Sequence, residues 1–279
     1  MDKIDEVLNS IEELPPAPEV LPHLLRELDR YDSDMNRVVD LITVDPALTT
    51  KVLQTCNSAF YFPSMRISKV SEAVQRLGFH AIYTIVAVAS AGQFMRPPKP
   101  VGGINPNSIW RHSVTSAFAS QFVAEDIGAD TDLLFTAGLL HDIGKIILAQ
   151  AFKDDYAALC SAAGNCGSLL VELEQAQFGW HHAEIGAQAM ERWSFPPQLV
   201  ASVRFHHDPA GAAEEERAAG CVSLADALAR GLEVSKNQET SIMEPAEALK
   251  SLNLKPEDLT RYVDQISENM EFVEAMCRL

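Results

Sequence analysis

No segment of this 279-residue chain alternates apolar and polar residues with the period of two that a half-buried β-strand needs. Apolar residues recur at helical spacing instead, so the sequence predicts an all-α protein. Residues 1 to 13 place Ile4, Val7, Leu8 and Ile11 on one helical face. Leu14-Pro15-Pro16-Ala17-Pro18 ends that element, because proline removes a backbone donor and disfavours helix just before it. Helical spacing resumes at Val20, Leu21, Leu24, Leu25 and Leu28. Ser33 or Asp34 is placed to cap a helix holding Val38, Val39, Leu41 and Ile42. Asp45-Pro46 is a cap followed by a first-turn proline, opening a helix with Leu48, Val52, Leu53 and Cys56. Residues 59 to 68 read as a packed loop, Ser71 as the cap of a short helix, and Gly78 as its interruption. Ala81 to Phe94 is apolar on nearly all sides, the pattern of a helix buried all round. Pro97-Pro98-Lys99-Pro100 with Gly102-Gly103 reads as a linker.

Beyond it, a helix starting near Asn107 carries Trp110, His112, Val114, Ala117 and Phe122 to an Asp126-Ile127-Gly128 turn. Thr131 or Asp132 is placed to cap the helix that leads into His141-Asp142-Ile143-Gly144-Lys145, where Gly144 would end or bend it. Helices follow over 146 to 160, from Ser168 through Phe178, from Gly179 to Trp193, and over 198 to 207, the last ending at His206-His207-Asp208-Pro209. A Gly/Ala/Glu loop over 210 to 216 precedes an apolar helix with Val222, Leu224, Ala225, Asp226 and Leu228. The remainder reads as two helices separated by polar segments, with Pro245 and Pro256 near first turns. A stripe of Ile266, Met270, Phe272 and Met276 there would pack on the bundle or pair two copies as a homodimer.

Composition narrows the function classes. A net charge of -17 opposes sequence-independent nucleic-acid binding and docking on anionic membranes, both of which need clustered Lys and Arg. The longest apolar stretch, Ala81 to Met95, is too short to span a bilayer, and Met1 to Glu6 is no signal peptide. Cys56, Cys160, Cys166, Cys221 and Cys277 are odd in number and scattered without a CxxC pair, which suits reduced, mostly buried thiols. The expectation is a soluble cytoplasmic protein without membrane or nucleic-acid partners.

Six of the eight histidines lie between positions 112 and 207: His112, His141, His181, His182, His206 and His207. Each falls on or at the end of an expected helix, and side chains from several helices can converge on one bundle interior. Asp226 adds a carboxylate in an otherwise apolar helix, which is costly unless paired or bound to a cation. His nitrogen and Asp oxygen together suit one or two divalent transition ions, iron, manganese or zinc. The paired histidines equally suit helix C-termini, where a cationic imidazole is favourable, and Asp226 equally suits a polar helix face.

The order His112, His141-Asp142 with Gly144-Lys145, His182 with Gly186, His206-His207 and Asp226 resembles the HD-type metal-dependent phosphohydrolases, nearest their HD-GYP branch. Leu14-Pro15-Pro16, Asp45-Pro46, Asn57-Ser58-Ala59 and Leu77-Gly78, with Gly179, Trp193 and Pro196, narrow the resemblance to the HDOD domain over roughly residues 13 to 230. The resemblance implies a multi-helix bundle in which an N-terminal helical half, 13 to 100, packs on an HD-like half, 101 to 230. Residues 1 to 12 would be a leading helix and 231 to 279 a helical tail. It implies metal ligands at His112, His141, Asp142, His182, His206, His207 and Asp226, with Asp142 and Lys145 in the catalytic role and Lys145 on phosphate. It departs from the cyclic di-GMP hydrolases in two places. Asp208-Pro209-Ala210-Gly211 stands where they carry glutamate and then Gly-Tyr-Pro, and Ser108 stands where some carry a ligating glutamate. Two functions follow. One is a bacterial signalling module that acts through a protein partner on the 13 to 95 surface and retains a metal site. The other is a metal-dependent phosphohydrolase acting on a nucleotide, cyclic dinucleotide or phosphate ester.

Overall fold

The computed structural model describes residues 7–8, 20–28, 34–58, 61, 66–164, 167–234 and 246–279. Apart from Val7 and Leu8, which are helical with Leu8 buried, the expected helix over 1 to 13 lies outside the described residues, as do the proline break after it, Ser33, most of the 59 to 68 loop, Cys166 and Pro245. Within them the secondary structure is helical, with one 3-10 turn and an isolated bridge between Val101 and Ile104. The all-α expectation holds.

The N-terminal elements are α1 (Val20–Leu28), α2 (Met35–Thr43), α3 (Pro46–Cys56), α4 (Val70–Leu77) and α5 (Phe79–Met95). Asp34 caps α2 by accepting from the Asn36 amide, and Asp45 caps α3 by accepting from Ala47 and Leu48. Each such cap contributes about 1 kcal/mol. The α4 helix starts at Val70 rather than after Ser71, with Lys69 in the cap position and no side-chain cap. The α5 helix is the central rod the apolar run predicts: Ile82, Ile85, Val86, Ala87, Val88, Ala89 and Ala91 are fully buried. It packs against α3 and α4 on one side and against α6 and α7 on the other, and so joins the N-terminal helices to the rest.

The second group is α6 (Pro106–Ile127), α7 (Thr131–Leu140), α8 (Ile143–Ala163), α9 (Gly167–Phe178), α10 (His182–Arg192), α11 (Pro197–Arg204), a 3-10 turn over Pro209–Glu215, and α12 (Glu216–Val234). α6 and α7 form a hairpin whose turn is Gly128 at φ +66°. The cap of α7 is Asp130, which accepts from Asp132 and Leu133, so neither Thr131 nor Asp132 takes that role. Asp130 has the extended backbone a cap needs, whereas Asp132 is already inside the first turn, with its carboxylate 2.7 Å from His80 Nδ1. The segment expected as a linker is a docked turn. A Cβ built at Gly102 would lie 2.6 Å from Ala149 Cα and one at Gly103 3.1 Å from Ala157 Cα, so the glycines let this turn press on α8.

The C-terminal segment holds three described helices rather than two: α13 (Ala246–Leu252), α14 (Pro256–Glu268) and α15 (Met270–Met276). It packs on the bundle. Tyr262, Ile266, Val273 and Met276 are buried, Trp110 Nε1 donates to the Cys277 carbonyl at 3.0 Å, and the Tyr262 hydroxyl donates to Asp126 at 2.7 Å. Cys56 and Cys221 are buried and Cys160 and Cys277 half-buried, all four as free thiols. Among the described residues, no helix is long and apolar enough to cross a membrane.

Candidate metal centre

The chain breaks its helix where the chemistry concentrates. α7 ends at Leu140, His141 and Asp142 sit in the turn, and α8 restarts at Ile143. His141 is fixed there by its own Nδ1, 2.8 Å from the Gly138 carbonyl. Gly144 neither ends nor bends the helix; it lies in the first turn of α8. A Cβ at Gly144 would collide with the His182 carbonyl oxygen, and one at Gly186 would lie 3.1 Å from the Gly144 nitrogen. The two glycines thus let the starts of α8 and α10 touch, which sets His182 beside Asp142. His206 and His207 lie in the turn after α11, which ends at Arg204 and not at 207. His112 comes from α6 and Asp226 from the facing side of α12.

The structure brings all seven expected side chains into one cluster. His112 Nε2 lies 3.1 Å from Asp226 Oδ1 and 3.8 Å from Asp142 Oδ2. His141 Nε2 lies 3.4 Å from Asp142 Oδ2 and 3.8 Å from Asp226 Oδ1. His182 Nε2 is 3.4 Å from Asp142 Oδ1 and 2.9 Å from His207 Nε2. The ring of His206 stands 5.1 Å from that of His141 and 3.9 Å from that of His207. Three sets of ligand atoms, each within 4.8 Å of one another, overlap through shared members: His112, His141 and Asp142; His141, His206 and Asp226; His182, His206 and His207. Lys145 Nζ sits 2.7 Å from Asp142 Oδ2. His181 is the one member of the six-histidine run outside these three sets, and His80 pairs with Asp132 elsewhere.

The residues fit a metal. His141 Nε2, His206 Nε2 and Asp142 Oδ1 are buried without a hydrogen-bond partner, and such orphaned groups are rare in folded proteins. The Nδ1 atoms of His141 and His206 face the carbonyls of Gly138 and Val203, at 2.8 and 2.6 Å, so the proton belongs on Nδ1 and a lone pair on Nε2. Burial, with neighbouring imidazoles, pushes His206 and His207 well below the usual histidine range, which keeps them neutral. Burial works to raise Asp142, but His141 and Lys145 outweigh it and hold it well below the usual carboxylate range. Asp226 is held down in the same way by Arg230 and His112 against its burial. Burial works to lower His112, yet Asp226, Glu233 and Asp142 hold it up, to about 9. Its proton then stands where a cation would stand, between two carboxylates.

Several neighbours of the cluster lie beyond the residues that the motifs single out. Arg230 Nη2 lies 2.7 Å from Asp226 Oδ2, Glu233 lies 3.7 Å from His112 Nδ1, and Glu174 lies behind His182. Arg230 is four residues after Asp226, a helix-neighbour spacing readable in the sequence. Glu233 and Glu174 left no comparable local signal.

Comparison with known proteins agrees with this architecture. The HDOD domain model matches residues 14–209. A crystal structure from Shewanella amazonensis, named "Putative phosphohydrolase", superposes with a TM-score of 0.73 at 27% identity and covers 98% of this chain and 97% of its own. An HDOD domain protein of unknown function from Geobacter sulfurreducens superposes at 0.75 with 20% identity, over 98% of this chain and 95% of its own. An uncharacterized protein of Treponema pallidum is 27% identical over 214 residues, 75% of this chain. The chain spans 40% of that relative's length. The family match covers more than half of the sequence and the fold agrees with it, so the chain belongs to the HDOD domain family.

Proposed function

We propose that the cluster is a one- or two-ion centre for iron, manganese or zinc, and that the chain hydrolyses a phosphate ester there. His112, His141, Asp142 and Asp226 would hold one position and His182, His206 and His207 the other, with Asp142 between them. The observation that carries this reading is the set of buried, unpartnered His141 Nε2, His206 Nε2 and Asp142 Oδ1, which fold-stabilising hydrogen bonds leave unexplained. A bound ion of this kind supplies an acidified water and polarises a phosphoryl oxygen. Asp142 orients from the centre, and Lys145 offers its ammonium beside Asp142 to phosphoryl oxygens that gain negative charge. The Shewanella relative named as a phosphohydrolase supports the same chemistry. Asp208-Pro209-Ala210-Gly211 forms the start of a 3-10 turn in place of Gly-Tyr-Pro, so a phosphomonoester or mononucleotide diester suits the site better than a cyclic dinucleotide. The test is hydrolysis of chromogenic phosphomonoester and phosphodiester substrates by protein loaded with manganese or iron. Turnover is expected, with a loss of about a thousandfold on removing the attacking-water chemistry through His141→Ala plus Asp142→Ala. Activity that survives that double change would refute the assignment.

A signalling role through a protein partner is the second reading. The observation that favours it is a cleft of about 710 Å³ between α1 and α2, where Leu41 and Val44 sit among His23 and the charged Arg26, Glu27, Arg37 and Asp40, with Val44 82% exposed. An exposed valine in a cleft edged by charges of both signs suits a docking face. Photo-crosslinking from position 44 in bacterial cells is expected to trap one partner; trapping none would count against this role.

A further inference from the structure

We propose that Glu174 is a positioning residue for the metal centre, acting through His182, so that the second ion position is built as a carboxylate–histidine–metal relay. The inference rests on the metal-centre reading above. Glu174 comes from α9 and is completely buried. Its Oε2 accepts from His182 twice, from ring Nδ1 at 2.7 Å and from the backbone amide at 2.9 Å. Its Oε1 accepts from the Tyr156 hydroxyl at 2.6 Å, and Tyr156 is itself fully buried on α8. Both carboxylate oxygens are therefore engaged, and the His182 ring is held from behind. With the proton fixed on Nδ1, His182 presents its Nε2 lone pair toward Asp142 Oδ1 and His207 Nε2.

The charge balance is what separates this from a helix cap. A fully buried carboxylate is expensive unless a positive charge answers it. The side chains that bond to Glu174 are His182 and Tyr156, and a tyrosine hydroxyl brings no charge; His181 and Cys160 act on it only at longer range. The His182 ring is the group that answers this charge directly, and a cation on its Nε2 would supply positive charge across the ring without a second ring proton. A carboxylate in this place raises the basicity of the ligand imidazole and fixes its orientation. If capping α10 were its whole purpose, an uncharged acceptor would serve as well and cost less to bury. Neither glutamate nor tyrosine here follows from the spacing of the histidines; the fold brings α8, α9 and the start of α10 together to make the relay.

The experiment is zinc titration of the full chain against a chromogenic chelator, alongside thermal unfolding of the metal-free protein. Glu174→Gln keeps the shape and an acceptor but removes the charge. The expected result is a ten- to hundredfold weaker affinity for one zinc equivalent, with metal-free stability unchanged or raised. Tyr156→Phe disturbs the same buried cluster but leaves the charge, so its zinc affinity should stay within about threefold of wild type. In a His182→Ala background, Glu174→Gln should produce no further loss, because the relay has already been cut. Glu174→Asp, which withdraws the carboxylate by one methylene, should show the same loss and serves if Glu174→Gln does not fold. Wild-type affinity in Glu174→Gln, or an equal fall in the His182→Ala background, overturns the relay while leaving the metal centre standing. A wild-type protein that takes up no zinc, iron or manganese overturns both.

Discussion

At the residue scale, the cluster depends on one close approach. Gly144 has the His182 carbonyl where a Cβ would stand, and backbone cannot move aside as the end of a flexible side chain can. Gly144→Ala is expected to lower stability by about 3 kcal/mol and to weaken metal uptake by shifting α10 away from Asp142. Chemical denaturation and a metal titration on the same sample check both effects; wild-type values for both would contradict the packing described. The residues that converge were legible because a carboxylate in an apolar helix is costly unless it is paired, and because the histidines recur at successive helix ends. The partners behind them were not. Glutamate is ordinary on any helix face, and only the fold shows that Glu174 is buried against His182 and Tyr156.

Asp132 offers a pH test well away from the cluster. Burial pushes its carboxyl up to about 6, against the opposing pull of His80. A carboxyl whose folded value lies above its ordinary 3.8 contributes stability that is fully present below pH 3.8 and lost as pH rises through about 6. Between pH 4 and pH 7, wild type should therefore lose about 2 kcal/mol relative to Asp132→Asn, whose side chain does not ionise. Urea unfolding at a series of pH values measures this, and parallel curves would contradict it.

At the element scale, helix existence and order were readable from apolar spacing, from Asp45-Pro46 and from the all-round apolar run that became α5. Boundaries were less so. Asp130, Thr131 and Asp132 all carry side chains able to cap, and only the extended backbone at Asp130 decides among them. The helix before His206 stops early because its last turn gives way to the bonds that aim the two imidazoles, including His206 Nδ1 to the Val203 carbonyl. The C-terminal helices were the least legible, since their weak stripe suited either the bundle or a second copy. Here they pack on α6 and α12. Tyr262 is their buried anchor, with its hydroxyl on Asp126. Tyr262→Ala is expected to cost about 3–4 kcal/mol and Tyr262→Phe about 1 kcal/mol, because the first empties a core position and the second removes one hydrogen bond. Equal small effects on the urea midpoint would mean that the tail is only loosely seated.

At the scale of the whole molecule, α5 links the N-terminal helices to α6 and α7; α6 carries His112, and the turn between α7 and α8 carries His141 and Asp142. Helical periodicity made the all-α class legible, and the ordered set of motifs made the family legible. The way five separate segments meet at one point was not, because no local pattern encodes contacts between residues as far apart as His112 and Asp226. Two surfaces with different chemistry result: a buried His/Asp centre and an exposed face at α1 and α2.

We propose that the seven converging side chains hold metal. Elemental analysis of the protein, purified without chelator and then reconstituted with iron, manganese or zinc, tests it most directly. The expected result is about one to two bound equivalents, falling to background in His141→Ala plus Asp142→Ala while the circular dichroism stays helical. Less than about a tenth of an equivalent after reconstitution of the folded wild-type protein would contradict it.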